Sequence, residues 1–205
     1  AKRAGERGDR ERPRRVAGHQ VGQQQEKIVL MIERDEIAIA DRLEILLSSD
    51  TPTAISKAMG LALIGFADTF RRLTPDLVVL LGDRFEACAA AQAAMVANIP
   101  IGHIHGGEST KGVIDDSFRH AITKMAHYHF VSNQTARRRV LQLGEHPDRI
   151  FLTGAPGLDH LRRLPLLSRE ELETELGIEL RKPVLLVTFH PVTRETEDPS
   201  DAVRE

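Results

Sequence analysis

Three carboxylates, Asp83, Glu108 and Asp115, each stand in a polar cluster beside a predicted element: GDRFE, HIHGGE and DDSFRH. Carboxylates gathered in one cleft can work as general acid and base when burial or a neighbouring negative charge raises the pKa of one of them. Asp83 follows the apolar run Leu77–Leu81 and a glycine. A tight turn there places its side chain at the strand's carboxyl end, although spacing alone also fits a helix cap paired with Arg84. In HIHGGE, strand alternation puts His103 and His105 on one face. Two histidines and a carboxylate resemble a zinc set, while a Gly-Gly turn equally brings backbone N–H groups to a sugar or phosphate. The lack of a cysteine partner and of an HExxH motif disfavours the metal. In DDSFRH, Asp115 and Arg119 are four residues apart, as are Asp116 and His120, so each pair is adjacent on a helix surface. Asp116 fits a helix-start carboxylate favoured by the macrodipole; Asp115, with Arg119 and His120 facing the same mouth, fits a site better. Gly154–Gly157 marks a tight turn, and His190 ends a later apolar run in FHPVT.

The elements that must position these groups alternate. A short strand is expected at Ile28–Ile32 and a further short element at Glu44–Leu47. A helix is expected from Pro52 to Leu73, capped by Asp50 or Thr51, with Ile55, Met59, Leu63, Phe66 and Phe70 as its core stripe. Strands are then expected at Leu77–Leu81, Ile99–Ile104, His129–Ser132 and Ile150–Thr153. Helices are expected between them at Phe85–Ala97, Asp115–His127 and Asn133–Leu143. The continuous apolar run Leu77–Leu81 reads as a strand covered on both faces. Ser168 caps an acidic helix, and Val184–Thr188 reads as one more strand. Such alternation predicts a doubly wound, Rossmann-like parallel α/β sheet, in which ligands bind beyond the carboxyl ends of the strands.

The totals narrow the function classes. The chain has 205 residues, 41% of them hydrophobic, and a formal net charge of −2. That balance gives no reason to expect nucleic acid or an anionic membrane as partner. No apolar run approaches the roughly 20 residues of a membrane span. One cysteine, Cys88, lies in an Ala-rich run and reads as core, which fits a reducing cytoplasm. Residues 1–27, rich in Arg, Gly, Glu and Gln, read as a disordered or non-native tail.

Taken together, LLSSDTPTAISKAMGLALIGFADTF, LGDRFEACAAA, IPIGHIHGGESTKGVIDDSFRHAITKMAHYHFVS, RRRVLQLGEHPDRIFLTGAPGLDHL and LLVTFHPVT resemble the hydrolysing UDP-N-acetylglucosamine 2-epimerases. The resemblance runs in order from about Glu44 to Thr193. It implies a glycosyltransferase-B-like fold whose N-terminal Rossmann-like domain occupies 28–164, with 165–205 a linker and the start of an incomplete second domain. It also implies cleavage of UDP-N-acetylglucosamine to N-acetylmannosamine and UDP for sialic acid-type sugar synthesis, through elimination to a glycal and hydration. The family needs no metal or cofactor, and its full-length members are homo-oligomers, dimer or tetramer. Asp83 and Asp115 match family catalytic positions, and Glu108 matches the Glu of HIHGGE. Relatives that read HIEGGE carry Glu where this chain has His105, which leaves His105 and Glu108 as alternatives for completing the acid–base set. Arg119, His120 and His190 match positions lining the sugar and phosphate site, and Arg84, His105 and Gly157 complete the expected substrate-binding residues. Family members begin with a strand and a TGTRAEYG-like loop that residues 1–27 do not show, and their second domain is missing after His190. A fragment, inactive or nearly so by itself, is therefore expected. The rivals are a non-hydrolysing epimerase, a glycosyltransferase of the same fold and a non-catalytic binding or assembly module.

Overall fold

Helix α2, Pro52–Leu73, begins where its sequence says it should. The Thr51 side chain accepts the Ala54 N–H and Pro52 sits in the first turn, so two otherwise unsatisfied N-terminal positions are dealt with. The computed structural model describes residues 16–19, 29–45, 47, 51–110 and 113–186; Asp50 and His190 lie outside them. The chain divides into two compact units at 75/76.

In the first unit, strand β1 (Val16–His19) pairs in parallel with β2 (Ile39–Leu43). Two expectations fail here. Residues 16–19 fall inside the stretch assigned by composition to a disordered or non-native tail, yet they form a strand, because a parallel partner supplies hydrogen bonds that composition does not register. The strand expected at Ile28–Ile32 is not seen over its described part: residues 29–34 form helix α1. An apolar run of five cannot distinguish the two states. The strand that does form is Ile39–Leu43, and the described residues among 44–47 carry no regular structure. The core stripe of α2 also differs from expectation. Its buried residues are Ala54, Ala58, Ala62, Phe66, Thr69 and Phe70, while Leu63 is 37% exposed. Small side chains won the inner face: the wall of β2 lies close, and Leu43 Cδ2 would meet a Cβ on Gly65 at 3.1 Å. Asp41 of β2 accepts from both Thr69 and Arg72 of α2, and the Thr69 bond is the main force holding its carboxyl below the usual range.

The second unit holds β3 (Val78–Leu81), α3 (Phe85–Val96), β4 (Ile101–Ile104), α4 (Asp115–Met125), β5 (Tyr128–Val131), α5 (Gln134–Gln142) and β6 (Ile150–Leu152). The four strands lie side by side in sequence order, all parallel, as the alternation requires. Right-handed crossovers in that order set α3, α4 and α5 on one face. Val78 and Leu80 point toward them, whereas Val79 and Leu81 are 55% and 63% exposed. The expectation that β3 is covered on both faces is therefore not met. Helix α3 presents Cys88, Ala89, Ala91 and Ala93 as buried surface, small enough for close packing against α4. Val131, Ala136, Val140 and Ile150 close the core beneath α5.

Beyond β6 come α6 (Leu158–Arg163) and α7 (Arg169–Leu176). Ser168 and Glu171 form a reciprocal capping box at the start of α7, as the sequence predicts. Residues 184–186 carry no regular structure, so the strand expected at Val184–Thr188 is absent over its described part. Leu185 and Leu186 are 83% and 94% exposed, and an apolar run that no strand pairs among the described residues has no ladder to join.

Candidate active site at the carboxyl edge of the sheet

Because the four strands are parallel, the residues that follow each of them emerge at one edge. Gly82 and Asp83 follow β3, His105–Glu108 follow β4, Ser132 and Asn133 follow β5, and α4 brings Asp115, Asp116 and Arg119. Gly82 turns the chain with φ +80°, which only glycine adopts at little cost.

Arg119 organises the centre. Its side chain is 8% exposed and it donates to the Asp83 carboxylate, reaches Thr110 Oγ1 at 3.4 Å and lies 3.9 Å from Asp116. The spacing argument paired Arg119 with Asp115; the geometry gives it to Asp83, with Asp116 as the more distant second partner. Among the described residues no cation forms an ion pair with Asp115. Burial, and then the negative charge of Asp83, raise its pKa above the ordinary aspartate value, against the opposing pull of Arg84 and Arg119. Asp116 behaves in the opposite way. Burial would raise it, yet the Thr110 N–H at 2.9 Å and the nearby His120 bring it below the usual range.

Glu108 and His105, alternatives in the sequence, are partners in space. His105 Nδ1 lies 2.7 Å from Glu108 Oε1, and the Ser132 hydroxyl donates to the same oxygen. Burial alone would raise Glu108, but the bonds from Ser132 and His105 outweigh it and keep the carboxyl below the ordinary glutamate range. A carboxylate can only accept, so His105 Nδ1 carries the proton of this bond and, in the neutral ring, Nε2 keeps a lone pair. His105 is held at φ +65°, a conformation that a non-glycine residue adopts rarely and that recurs at functional sites. Asn133 Nδ2 donates to Ser132 Oγ at 3.0 Å while Asn133 Oδ1 caps α5, so the helix start and the dyad are tied together.

The remaining expected residues are dispersed. Arg84 makes a two-pronged pair with Glu86 at 3.0 and 3.1 Å and stacks its guanidinium over Phe85, with its charge still felt by Asp115. His120 Nε2 lies 3.7 Å from Asp116, and its Nδ1 is buried without a hydrogen-bond partner among the described residues. Gly157 lies in the turn before α6, where a Cβ would meet nothing within 4 Å. Lys124 binds Glu145 at 2.6 Å and the Leu143 carbonyl at 3.0 Å. Sequence reading missed Ser132, Asn133 and Arg139, whose guanidinium donates to the Gly107 carbonyl. The signal for the first two was their position directly after a strand of the same parallel sheet. Among the described residues no three His, Cys, Asp or Glu side chains converge to hold a metal ion, and no helix is long and apolar enough to cross a membrane.

Fold and site together define an α/β protein with a parallel sheet and a cluster of differently tuned carboxylates along its carboxyl edge. The chain belongs to the UDP-N-acetylglucosamine 2-epimerase family, whose pattern matches residues 16–204. That match begins at residue 16, inside the stretch 1–27 read from its composition as a disordered or non-native tail. It is similar to the GDP/UDP-N,N'-diacetylbacillosamine 2-epimerase (hydrolyzing) of Campylobacter jejuni, 42% identical over 77% of this chain and 41% of that protein. It is likewise similar to the UDP-N,N'-diacetylbacillosamine 2-epimerase (hydrolyzing) of Legionella pneumophila, 39% identical over 81% of this chain and 44% of that protein. The chain thus spans about two fifths of the length of these curated relatives. The crystal structure of UDP-GlcNAc 2-epimerase from Neisseria meningitidis bound to UDP-GlcNAc shares its fold, with a TM-score of 0.62 at 22% identity over 68% of this chain and 38% of that one.

Proposed function

We propose that this chain carries the acid–base side of a hydrolysing 2-epimerase acting on a UDP-linked 2-acetamido sugar, converting UDP-N-acetylglucosamine to N-acetylmannosamine and UDP. The observation that supports it most is the pairing of His105 with Glu108 at the sheet edge to which α4 also brings Asp115, a carboxyl whose pKa is raised. Such a reaction needs both forms at once. In the elimination, a base removes the C2 proton while the C1–O bond breaks and UDP departs with the bonding electrons, leaving a glycal. In the hydration, a proton returns to C2 and water adds at C1 with loss of its own proton. His105 Nε2, its ring oriented by Glu108, is suited to accept a proton. Asp115, with its pKa raised, is suited to give one. The charge of Asp83, which Arg119 holds in place, favours retention of that proton on Asp115. The lone cysteine, Cys88, is buried and unpaired, in keeping with a cytoplasmic enzyme.

A second substrate is supported by a separate observation: the relatives at 42% and 39% identity are named for N,N'-diacetylbacillosamine. Incubating the protein with each UDP-sugar and separating the products by mass tests both. Free N-acetylmannosamine with stoichiometric UDP supports the first reading, and release only from the diacetylated sugar supports the second. Recovery of an epimerised sugar still attached to UDP would overturn hydrolysis in either case.

A further inference from the structure

His103, on β4 next to the site, is a fully buried titratable side chain that the proposed chemistry does not use. Its Nε2 lies 2.8 Å from the Gly82 carbonyl, and its Nδ1 lies 3.2 Å from Thr123 Oγ1. Thr123 Oγ1 in turn lies 2.9 Å from the Arg119 carbonyl, one helical turn back along α4. The Arg119 side chain then returns to Asp83, the residue bonded to Gly82. These contacts close a ring that joins β3, β4 and α4, and the Gly82–Asp83 junction is its one covalent link at the sheet edge.

We propose that His103 is a positioning residue for Asp83, fixing the backbone of Gly82 from one side of the ring while Arg119 fixes the carboxylate from the other. The reading rests on the role proposed for Asp83 above. The chemistry of the partners sets the tautomer. A carbonyl oxygen only accepts, so Nε2 carries the hydrogen and Nδ1 of the neutral ring keeps its lone pair on the side of Thr123 Oγ1. The Thr123 hydroxyl donates to the Arg119 carbonyl at 2.9 Å, beside the helix-ladder bond that the carbonyl's second lone pair accepts, so Thr123 links the His103 ring to the backbone of α4. Burial keeps the ring neutral, in agreement with this arrangement. There is no slack in the pocket: a Cβ on Gly106 would stand 3.0 Å from His103 Nδ1 and 3.1 Å from Thr123 Oγ1. Gly82 needs such a hold because φ +80° gives it no steric preference of its own for the direction in which Asp83 points.

The test combines one measurement on the unaltered full chain with two variants. Long-range ¹H–¹⁵N NMR at neutral pH should show the Nε2–H tautomer at His103, and an Nδ1–H tautomer overturns the proposal outright. Guanidinium ¹⁵N signals of Arg119 should be resolved and slowly rotating in the wild type and in His103→Gln, which keeps an N–H donor, and averaged in His103→Leu. Unchanged Arg119 signals in a folded His103→Leu protein would also overturn it. In turnover assays, His103→Leu should lower kcat by roughly 10- to 100-fold with KM little changed, and should add nothing in an Asp83→Asn background. Additive losses would mean that His103 acts independently of Asp83. If His103→Leu does not fold, Thr123→Val decides, with a several-fold loss of kcat expected and no loss overturning the proposal. Release of an epimerised sugar still attached to UDP would sink the proposed function alone, and whether or not the isolated chain turns over, the tautomer and guanidinium signals decide the role of His103.

Discussion

Asp115 and Glu108 are partly buried carboxylates at one sheet edge, and their surroundings drive their protons in opposite directions. Burial acts on both, so desolvation cannot be what separates them. The difference lies in the neighbours. Glu108 has two donors on one oxygen, whereas Asp115 faces the charge of Asp83 and has lost its helical partner Arg119 to that same residue. Replacing Asp83 with Asn removes the like charge, and the Asp115 titration followed by carboxyl ¹³C NMR should move down toward the ordinary aspartate value. An unmoved Asp115 would mean that burial alone raises it and that the two carboxyls are not coupled. Asp115→Asn keeps the shape but removes the acid, and turnover should fall by about 10²- to 10⁴-fold.

Between elements, the geometry of the site depends on how the loop after β4 is pinned to α5. Gly107 adopts φ +78°, and a Cβ there would stand 2.4 Å from the Ala136 carbonyl oxygen and 2.6 Å from Val140 Cγ2. Neither neighbour can yield, since Ala136 is backbone of a packed helix and Val140 is fully buried. Gly107→Ala should therefore cost about 3 kcal/mol, combining left-handed strain with a backbone clash. It should also release the His105–Glu108 pair. Urea unfolding of the variant checks the first outcome, and a midpoint within error of wild type would contradict the close approach. The HIHGGE motif made two glycines visible in the sequence but did not say which of them is irreplaceable, because the opposing surface comes from α5, about 30 residues later. The same limit explains the rest. The strand–helix alternation after Asp76 was legible because each element carries its own apolar pattern and caps. By contrast, 16–19 became a strand only through its pairing with β2, and 29–34 became a helix despite an apolar run that fits either state. Asp83, Glu108 and Asp115 could be found by position at strand and helix ends. That Arg119 serves Asp83 rather than Asp115 depended on the distance between two elements 36 residues apart, which no local spacing encodes.

At the scale of the whole molecule, the buried histidines set how the protein responds to acid. His103 is fully buried, and its pKa is lowered from 6.5 to about 4, chiefly by burial and further by His129 and Arg119, against the Gly82 carbonyl and Asp83. His129, beside it on β5 and also fully buried, is lowered by burial as well, although Glu145 at 3.3 Å opposes the shift off hydrogen-bond alignment. The sign follows from which form the fold prefers. Folding favours the neutral rings, so the unfolded chain binds protons first as pH falls, and stability drops with it. The contribution of His103 is fully present above 6.5, the unfolded value, and is lost as pH falls through about 4, an interval worth about 3 kcal/mol. Glu108 and Asp116, both lowered, extend the loss below the ordinary carboxylate range, whereas Asp115, which is raised, opposes the decline just above its ordinary value. Stability measured by urea unfolding should accordingly decline between pH 6.5 and 4.5, before most carboxylates titrate. His103→Gln retains a donor for the Gly82 carbonyl but has no proton to gain. It should flatten the decline over that interval by the share that His103 contributes, leaving the smaller slope from His129. Parallel pH profiles for wild type and His103→Gln would show that the acid response arises elsewhere in the chain.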